Sequence, residues 1–301
     1  MRHPLSGRTV LDYMCMATVA TVLGAIVSPG CGGTGGTATG STSVTGSSAA
    51  SGNGGATGNG GATGNGGSGG NGGATADAGS PDAAVEAGPP PPTYVTLKTA
   101  GSFVVLAGQT VTNTGFTVIN GDVGISPGSS MTGFPPGIVN GVVHISDAAA
   151  AQAKQDLNDA YADAAAQSGA PIAFVGDLGG KMLPPGLYVS SSSMGLIAGD
   201  LVLDAQGDQD AVWVFQIATT FIAMVGHGVT LTGNAKADNV FWNVGSSATI
   251  GVGAFMIGNF LTQTSITVQT GATMDGRFLT QTGAVTFDSN TVNTPPPIIH
   301  R

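Results

Sequence analysis

The chain has 301 residues, of which 51 are glycine and only 8% are charged, and its formal net charge is −9. This acidic balance argues against a nucleic-acid partner, because binding to phosphates needs clustered lysine and arginine side chains. The two cysteines, Cys15 and Cys31, lie in or beside an N-terminal leader, which excludes a disulfide or a cysteine-based metal site in the folded part.

Residues 1–31 have the pattern of an export signal. A start with two arginines precedes an apolar run from Met14 to Val27, which is short for a membrane-spanning helix. The small residues before Cys31 resemble a bacterial lipoprotein signal, in which this cysteine becomes the lipidated N-terminus. Ser28 and Pro29 depart from that pattern, and an ordinary cleaved signal or an uncleaved anchor is the alternative. We expect an exported protein, either secreted or anchored by lipid at a cell surface or outer membrane.

Residues 32–92 form a low-complexity segment in which Gly-Asn-Gly-Gly-Ala-Thr starts at Gly52, Gly58 and Gly70. Ordering such a chain costs about 1–2 kcal/mol per residue, and it has almost no apolar side chain to bury in return. The segment is therefore predicted to be a disordered tether, which holds the following domain away from a membrane if Cys31 carries lipid. A bundle of polyproline-type helices is the less favoured alternative, because the glycine period is not three.

One helical pattern covers about residues 147–167, which contain no Pro, Gly or β-branched residue. Ser146 or Asp147 can cap its start, and Asp147 also suits the first turn electrostatically. About 20 residues at 1.5 Å each make a helix of roughly 30 Å, the height of about six stacked β-coils. One face carries small and apolar residues, whereas most polar residues, including Lys154 and Asp156, are expected on other faces. We expect this helix to lie along the side of the domain.

The stretch from Met256 to Thr264 returns as Met274 to Thr282, with seven of nine positions identical. A fixed period of about 18 residues indicates one structural unit stacked on copies of itself. Apolar residues alternate with Thr in each unit, which predicts short strands and a mostly β, three-sided β-solenoid. Residues 176–294 are long enough for six to seven such periods. The folded domain is predicted to span residues 93–294, followed by a tail at 295–301.

Nine segments between residues 98 and 294 carry a family resemblance. They are Ser102–Thr114, Gly121–Gly128, Thr132–Gly137, Ala150–Ala153, Leu203–Asp208, Val214–Ile217, Asn239–Trp242, Val244–Thr249 and Gly283–Thr286. In this order they resemble the microbial ice-binding, or antifreeze, proteins. The resemblance implies a discontinuous β-solenoid with one long flanking α-helix packed along its side. It also implies that N-terminal strands dock beside the C-terminal coil, so that the coils do not follow simple sequence order.

Ice binding needs a flat, weakly charged face, and threonine supplies a hydroxyl that anchors water beside a methyl group. Bulky residues such as Phe221, Met224, Phe255 or Phe278 would break such a face if they projected from it. The alternative for any one column is that Thr is simply a good strand residue on an exposed surface, and one array could face the helix. The candidate ice-binding residues are Thr230, Thr232, Thr249, Thr267, Thr270, Thr273 and Thr286, and a second candidate array is Thr262, Thr264, Thr280 and Thr282.

Two other function classes compete with ice binding. A polysaccharide-cleaving solenoid needs clustered carboxylates, and the densest cluster is Asp204, Asp208 and Asp210, whose spacing favours a turn over a calcium loop. His144 and His227 have no Ser or Cys partner nearby in sequence. A cell-surface adhesin or structural β-solenoid without ice activity suits the tether equally well, and aromatic grooves would favour it. We expect an ice-binding monomer that uses no metal, cofactor or catalysis.

Overall fold

The computed structural model describes residues 91–295. The predicted export signal, its lipidation site Cys31, nearly all of the predicted tether and most of the predicted tail lie outside the described residues. Within residues 91–295 the secondary structure consists of 3-10 helices at Lys98–Ser102 and Ala237–Asn239, one α-helix, α1 (Ala148–Ala166), and 23 strands. The strands are β1 (Phe103–Ala107), β2 (Thr110–Thr114), β3 (Val118–Asn120), β4 (Asp122–Ile125), β5 (Ser130–Thr132), β6 (Ile138–Val139), β7 (Val143–Ile145), β8 (Ile172–Ala173), β9 (Gly176–Asp177), β10 (Met182–Leu183), β11 (Gly186–Ser190), β12 (Met194–Leu196), β13 (Leu201–Asp204), β14 (Trp213–Ile217), β15 (Phe221–Ala223), β16 (Val229–Thr232), β17 (Val240–Val244), β18 (Ala248–Ile250), β19 (Phe255–Thr262), β20 (Ile266–Val268), β21 (Thr273–Thr280), β22 (Val285–Asp288) and β23 (Thr291–Asn293).

The strands stack in parallel into three long walls, which confirms the predicted three-sided β-solenoid. Face A runs in the order β7, β4, β1, β21, β19, β17, β14, β11, β8. Face B runs β5, β2, β22, β20, β18, β15, β12, β9. Face C runs β6, β3, β23, β21, β19, and a bridge between Gly228 and Phe255 continues it to β16, β13 and β10.

Two long strands, β19 and β21, each belong to two faces because a glycine bends them in the middle. Gly258 has a φ of +104°, a conformation that disfavours any side chain. A Cβ on Gly276 would lie 1.9 Å from the carbonyl oxygen of Gly258. The N-terminal halves of these strands therefore pair on face C, and their C-terminal halves pair on face A.

The coils do not follow sequence order, as the family resemblance implied. The first coil, β1 to β3, stacks directly on the last coil, made of β21, β22 and β23. Strands β4, β5 and β6 then stack on the first coil. The chain next returns through α1 to the opposite end of the stack, where β8, β9 and β10 begin the C-terminal series.

The length of chain in each coil is not uniform, which corrects the single period predicted from the repeat. On face B, Ala248 pairs with Ile266, which lies one repeat further along the chain. The partners Phe221 and Ala248 are separated in sequence by one and a half repeats, and so are the partners Met194 and Phe221. In the longer coils a separate loop joins face C to face A, whereas a single glycine makes that corner in the short coils of β19 and β21, Gly258 in the first and Gly276 in the second. Six strands of face B still fall within residues 176–294, so the predicted number of coils is confirmed.

Aromatic side chains in register fill the interior behind face A. Tyr188, Phe215, Trp242, Phe260 and Phe278 occupy one inward column and are all buried. The rings of Phe215 and Trp242 stack with centroids 4.1 Å apart. Such offset contacts stabilise beyond the area they bury, and they hold successive coils in one alignment.

Helix α1 lies along face A, and its bounds agree with the predicted helix. The Asp147 side chain accepts a hydrogen bond from the Ala150 N–H at 2.8 Å, as expected of an N-cap. Leu157 and three alanines pack onto leucine, valine and phenylalanine side chains of the wall and of residues 95–106. Lys154 and Asp156 were expected away from the packed face, but both are buried because they bond the chain beneath the helix.

Candidate functional site

Face B carries a straight row of five threonines, which we call the threonine column. The strand register aligns Thr132 with Thr112, Thr112 with Thr286, Thr286 with Thr267, and Thr267 with Thr249. These residues alternate with side chains that point into the core, so all five threonines face outward. Adjacent members are spaced by about 4.7–4.9 Å, the distance between neighbouring strands.

A second row of small residues runs beside this column, two positions earlier in each strand. Adjacent rows are therefore separated by about 6.5–7 Å. Ser265 Oγ accepts a long hydrogen bond from the Ala284 N–H at 3.4 Å, and Ser247 Oγ accepts one from the Ser265 N–H at 3.4 Å. We call this row the serine column; its members are Ser130, Thr110, Ala284, Ser265 and Ser247.

The hydroxyl groups of the threonine column differ in their partners. Thr112 Oγ1 donates to Thr286 Oγ1 at 3.1 Å, which fixes the rotamers of both side chains. Within residues 91–295, the hydroxyls of Thr249 and Thr267 make no hydrogen bond to the protein and are open to water. Asp288 is an outward carboxylate at the end of β22, two positions after Thr286 and on the side of the threonine column opposite the serine column, and it accepts from Thr270 Oγ1 at 2.5 Å. The centre of the face thus carries hydroxyl and methyl groups without charge.

The same column changes character below Thr249. Its next three positions are Ile222, Gly195 and Asp177. Ile222 is 40% exposed, and Met224 beside it is 44% exposed. We call the five coils that carry threonine the upper coils and the remaining three the lower coils. The upper coils carry hydroxyl groups in both columns. The lower coils lack the threonines of the first column but keep hydroxyls at Thr220 and Ser193, which continue the serine column, and the exposed Ile222 and Met224 make this surface uneven and more apolar.

Face C presents a different pattern. An amide ladder runs along its upper part, in which Asn140 donates to Asn120, Asn120 to Asn293, and Asn293 to Asp275, at 2.8, 2.8 and 2.9 Å. Each of these side chains uses part of its hydrogen-bonding capacity on its neighbour in the ladder. The half-buried Phe255 stands in the neighbouring outward row. Face C is therefore less flat than face B and leaves fewer hydroxyls free.

Comparison with known proteins agrees with this architecture. The family model described as "Ice-binding-like" matches residues 105–293. The chain belongs to this family. It is 49% identical over 198 residues to an ice-binding protein from Nostoc sp. (strain HG1), an alignment that covers 65% of this chain and 73% of that one.

Solved structures in the family share the fold. The crystal structure of an ice-binding protein from an Antarctic biological consortium matches at 48% identity with a TM-score of 0.67, covering 68% of this chain and 92% of that chain. An ice-binding protein from the Antarctic ascomycete Antarctomyces psychrotrophicus matches at 44% identity and a TM-score of 0.66, covering 68% of this chain and all of that chain. The discontinuous solenoid with a flanking helix is thus a property of the family.

The first set of candidate threonines is divided between two faces. Thr249, Thr267 and Thr286 stand in one column on face B, as their spacing predicted. Thr230 and Thr232 lie in β16, and Thr273 begins β21, so these three belong to face C. Thr270 occupies the corner between the two faces, where its hydroxyl is bound to Asp288. The structure therefore brings together only part of the predicted set.

The second candidate array does not form one exposed surface. Thr262 and Thr280 point into the core and are fully buried, because they lie at inward positions of strands on face A. Thr280 Oγ1 donates to the Gly283 carbonyl at 3.0 Å, so its hydroxyl serves the turn. Thr264 and Thr282 are at least partly exposed, but they sit at the corner between faces A and B. Thr262 and Thr280 are buried whereas Thr264 and Thr282 are not, because side chains alternate between inward and outward positions as the chain turns the corner. The repeat alone does not reveal this difference.

Reasoning from sequence named three of the ten residues in the threonine and serine columns and missed the other seven. Thr112 and Thr132 complete the threonine column, and Thr110 and Ser130 stand in the serine column. Their signal is present in the alternation from Thr110 to Thr114, which matches the alternation around Thr286. Using it requires knowing that the first coil docks on the last.

The carboxylates that the sequence offered as a catalytic or calcium site stabilise turns instead. Asp204 Oδ1 accepts from the Gln206 N–H and Asp208 Oδ1 from the Asp210 N–H, both at 2.9 Å, as expected of turns. Across residues 91–295 no group of three or more metal-ligating side chains is close enough to hold an ion. In the same part of the chain, no helix is both long and apolar enough to cross a bilayer.

Proposed function

We propose that this chain binds ice through the threonine and serine columns of face B. The observation that carries the proposal is the unbroken run of five outward threonines over the upper coils. The rows repeat at about 4.7–4.9 Å along the stack and about 6.5–7 Å across it. Relatives named as ice-binding proteins in Nostoc and in Typhula ishikariensis support the same function.

The mechanism that fits this surface is adsorption without catalysis. Unpaired hydroxyls such as those of Thr249 and Thr267 anchor water molecules, and water that bridges polar groups costs little free energy to hold. The adjacent methyl groups tolerate a cage of ordered water but make no competing hydrogen bonds. Rigid stacking keeps these anchors in rows, so the bound water joins a growing crystal. Growth between adsorbed molecules is then curved and slowed, which inhibits both ice growth and recrystallisation.

Face B suits this role better than the other walls. Face A is covered by α1, and the outward side of face C carries Phe255 and the amide ladder, whose side chains bond to one another. The aromatic side chains of the face B strands, Phe221 and Phe287, point inward and are buried. The surface therefore lacks the aromatic groove that would favour an adhesin, and the adhesin alternative is not supported by a specific contact.

Export and anchoring form a separate part of the proposal. The sequence before residue 32 supports export, and the small residues before Cys31 support lipidation at that residue. A low-complexity tether over residues 32–92 would then let a monomeric ice-binding domain reach ice outside the cell. Labelling of the expressed protein with a radioactive fatty acid tests this part, because Cys31→Ala should abolish the label and leave ice binding unchanged.

The decisive experiment is thermal hysteresis and ice recrystallisation inhibition with the purified full-length chain. We expect a measurable gap between melting and freezing temperatures, and fine ice grains that persist during annealing. The Thr267→Asp variant should lose most of both effects, because a charged carboxylate at the centre of the face orders water differently. Coincident melting and freezing temperatures for the folded wild-type chain would reject ice binding.

A further inference from the structure

The threonine column crosses a junction between two parts of the chain that are distant in sequence. Thr112 belongs to the first coil and Thr286 to the last, yet their hydroxyls are 3.1 Å apart across 174 residues of sequence. We call the contact between these two coils the seam. No peptide bond fixes the height of one coil on the other at this place. The continuity of the column therefore depends on whatever holds the seam.

The backbone at the seam is packed closely at the corner between faces A and B. The N–H groups of Gly108 and Gln109 both donate to the Gly283 carbonyl, at 2.9 and 3.0 Å. A Cβ on Gly108 would lie 2.6 Å from the Thr282 carbonyl carbon, so only glycine allows this approach. This corner leads directly into Thr110, and its position sets the height of the first coil on face B.

A buried lysine from the helix secures the same corner. Lys154 is only 7% exposed, and its Nζ donates to the carbonyls of Thr280 and, at 2.6 Å, Gln281. Thr280 Oγ1 in turn accepts from the Gly108 N–H at 3.3 Å. Burial lowers the pKa of Lys154 to about 8, which reflects the free-energy cost of placing an ammonium group here. The lysine thus connects α1 to the last coil immediately beside the first.

A buried arginine joins the two halves on the other side of face A. Arg277 in β21 donates from Nε to the Gly101 carbonyl at 2.9 Å, just before the first coil. Its guanidinium also donates to Asp238 Oδ1 at 2.5 Å and to Asn259 Oδ1 at 2.8 Å. A planar guanidinium makes these directional contacts simultaneously, which an ammonium cannot do. One side chain therefore binds the N-terminal segment and two C-terminal coils.

We propose that Lys154 and Arg277 are positioning residues that hold the first coil in register on the last, so that the threonine column continues across the seam. This role rests on the proposed ice-binding function of face B. Buried ion pairs and buried charges are often replaceable by apolar residues without loss of stability. Apolar packing is not directional, however, and a slip of one residue in strand register would turn each threonine inward. The two cations specify the register at the one place where chain connectivity does not.

The test compares seam variants with a control that weakens the fold elsewhere. The seam variants of the full-length chain are Lys154→Met, Gly108→Ala, and Arg277→Met combined with Asp238→Asn, which avoids leaving a buried carboxylate alone. The control is Leu203→Ala in β13, buried in a lower coil. Hydrogen exchange is measured at the Gly108 and Gln109 amides, with the Ala218 amide, bound to the Ser190 carbonyl, as a reference far from the seam. Thermal hysteresis is measured on the same samples below their unfolding temperatures.

We expect exchange at Gly108 and Gln109 to rise by about tenfold or more in each seam variant that folds, with little change at Ala218. Thermal hysteresis should fall severalfold in these variants. Leu203→Ala should lower the unfolding temperature but leave seam exchange and thermal hysteresis as in the wild type. Wild-type seam protection and wild-type thermal hysteresis in folded Lys154→Met, or in the folded variant that combines Arg277→Met with Asp238→Asn, would overturn the role of that residue. Equal losses in the control would overturn the proposal as a whole.

If the chain does not bind ice, the same experiments give a different set of results. In that case the wild-type chain shows no thermal hysteresis, and Thr267→Asp makes no difference. Faster exchange confined to the seam amides would still support the positioning role of Lys154 and Arg277, whereas unchanged exchange would reject it independently of any ice assay.

Discussion

The upper and lower coils of face B share one fold but differ in what they present to solvent. Inward positions are apolar in both, from Val285 and Ile266 above to Phe221 and Met194 below. The outward column carries five threonines in the upper coils and Ile222, Gly195 and Asp177 in the lower ones. If threonine were present only because it suits exposed strands, it would occur equally in both regions. Within this column threonine is confined to the upper coils, although Thr220 continues the serine column below, and this confinement favours a function over a propensity.

The largest expected effect comes from one substitution made in each region. Thr267→Tyr places a ring in the threonine column between Thr286 and Thr249. The ring would hold ice away from the face and remove contacts over the neighbouring threonines. We expect thermal hysteresis to fall by roughly tenfold, because dispersion and hydrogen-bond contacts decay within an ångström of added separation. Ile222→Tyr, in the same column but in a lower coil, should keep activity within about twofold of the wild type. Equal losses would extend the binding surface over the whole face.

A smaller effect is expected from removing hydroxyls without changing shape. Thr112→Val combined with Thr286→Val keeps the methyl groups but removes the hydroxyl pair at the seam. We expect thermal hysteresis to fall about two- to threefold, because the methyl groups still fit ordered water while two anchors are lost. Thr291→Val on face C is the matched control and should leave activity unchanged. A control that loses as much activity would implicate face C.

Thermal hysteresis is expected to increase if the threonine column is extended into the lower coils. Ile222→Thr adds a sixth threonine in register with Thr249. Its effect on the free energy of unfolding should stay within about 1 kcal/mol, the span of strand propensities. Thermal hysteresis should rise modestly, because the added row enlarges the surface by one strand spacing. A fall in activity would show that the exposed isoleucine already contributes to binding.

The smallest expected effect is a difference between the lower and upper coils in how local stability depends on pH. In the lower coils, burial acts to raise the pKa of Asp177, but hydrogen bonds from the Ile197, Gly179 and Ala198 amides outweigh it and lower the pKa below its usual value. Its contribution to stability is therefore present at neutral pH and is lost as the pH falls through the folded-state pKa.

Acid should then loosen the lower end of the stack first. We expect hydrogen exchange at Ile197 and Ala198 to accelerate, relative to the intrinsic rate, as the pH is lowered from neutral into the acidic range. Exchange at the Thr264 and Gln281 amides of the upper coils should change less over the same range. Asp177→Asn should remove the difference, and a pH response that persists in that variant would assign it to another group.

The fold was largely predictable from the sequence because its signals are local or repeated. The repeat at Met256 and Met274 predicted stacking, and the alanine-rich run after Asp147 predicted the helix within one or two residues. The longer coils were not predicted, since the loops that join faces C and A in them carry no repeat. The burial of Lys154 was missed because a charged residue was expected to face solvent.

The candidate site was only partly predictable from the sequence, because the residues that share one face depend on which strands become neighbours. Thr249, Thr267 and Thr286 follow from sequence spacing, and the register confirms their alignment. Thr112 and Thr132 join them only through the seam, which local patterns do not encode. Thr262 and Thr280 look equivalent to surface threonines in the repeat, but the alternation of side chains turns them into the core.

Partitioning of the protein into slowly growing ice tests the central claim most directly. Three fluorescently labelled chains are compared at equal concentration: the wild type, Thr267→Tyr on face B and Thr273→Tyr on face C. We predict that wild type and Thr273→Tyr are enriched in the ice, while Thr267→Tyr stays in the liquid. Enrichment of Thr267→Tyr to the wild-type level, or exclusion of Thr273→Tyr instead, would contradict the assignment of ice binding to the threonine column.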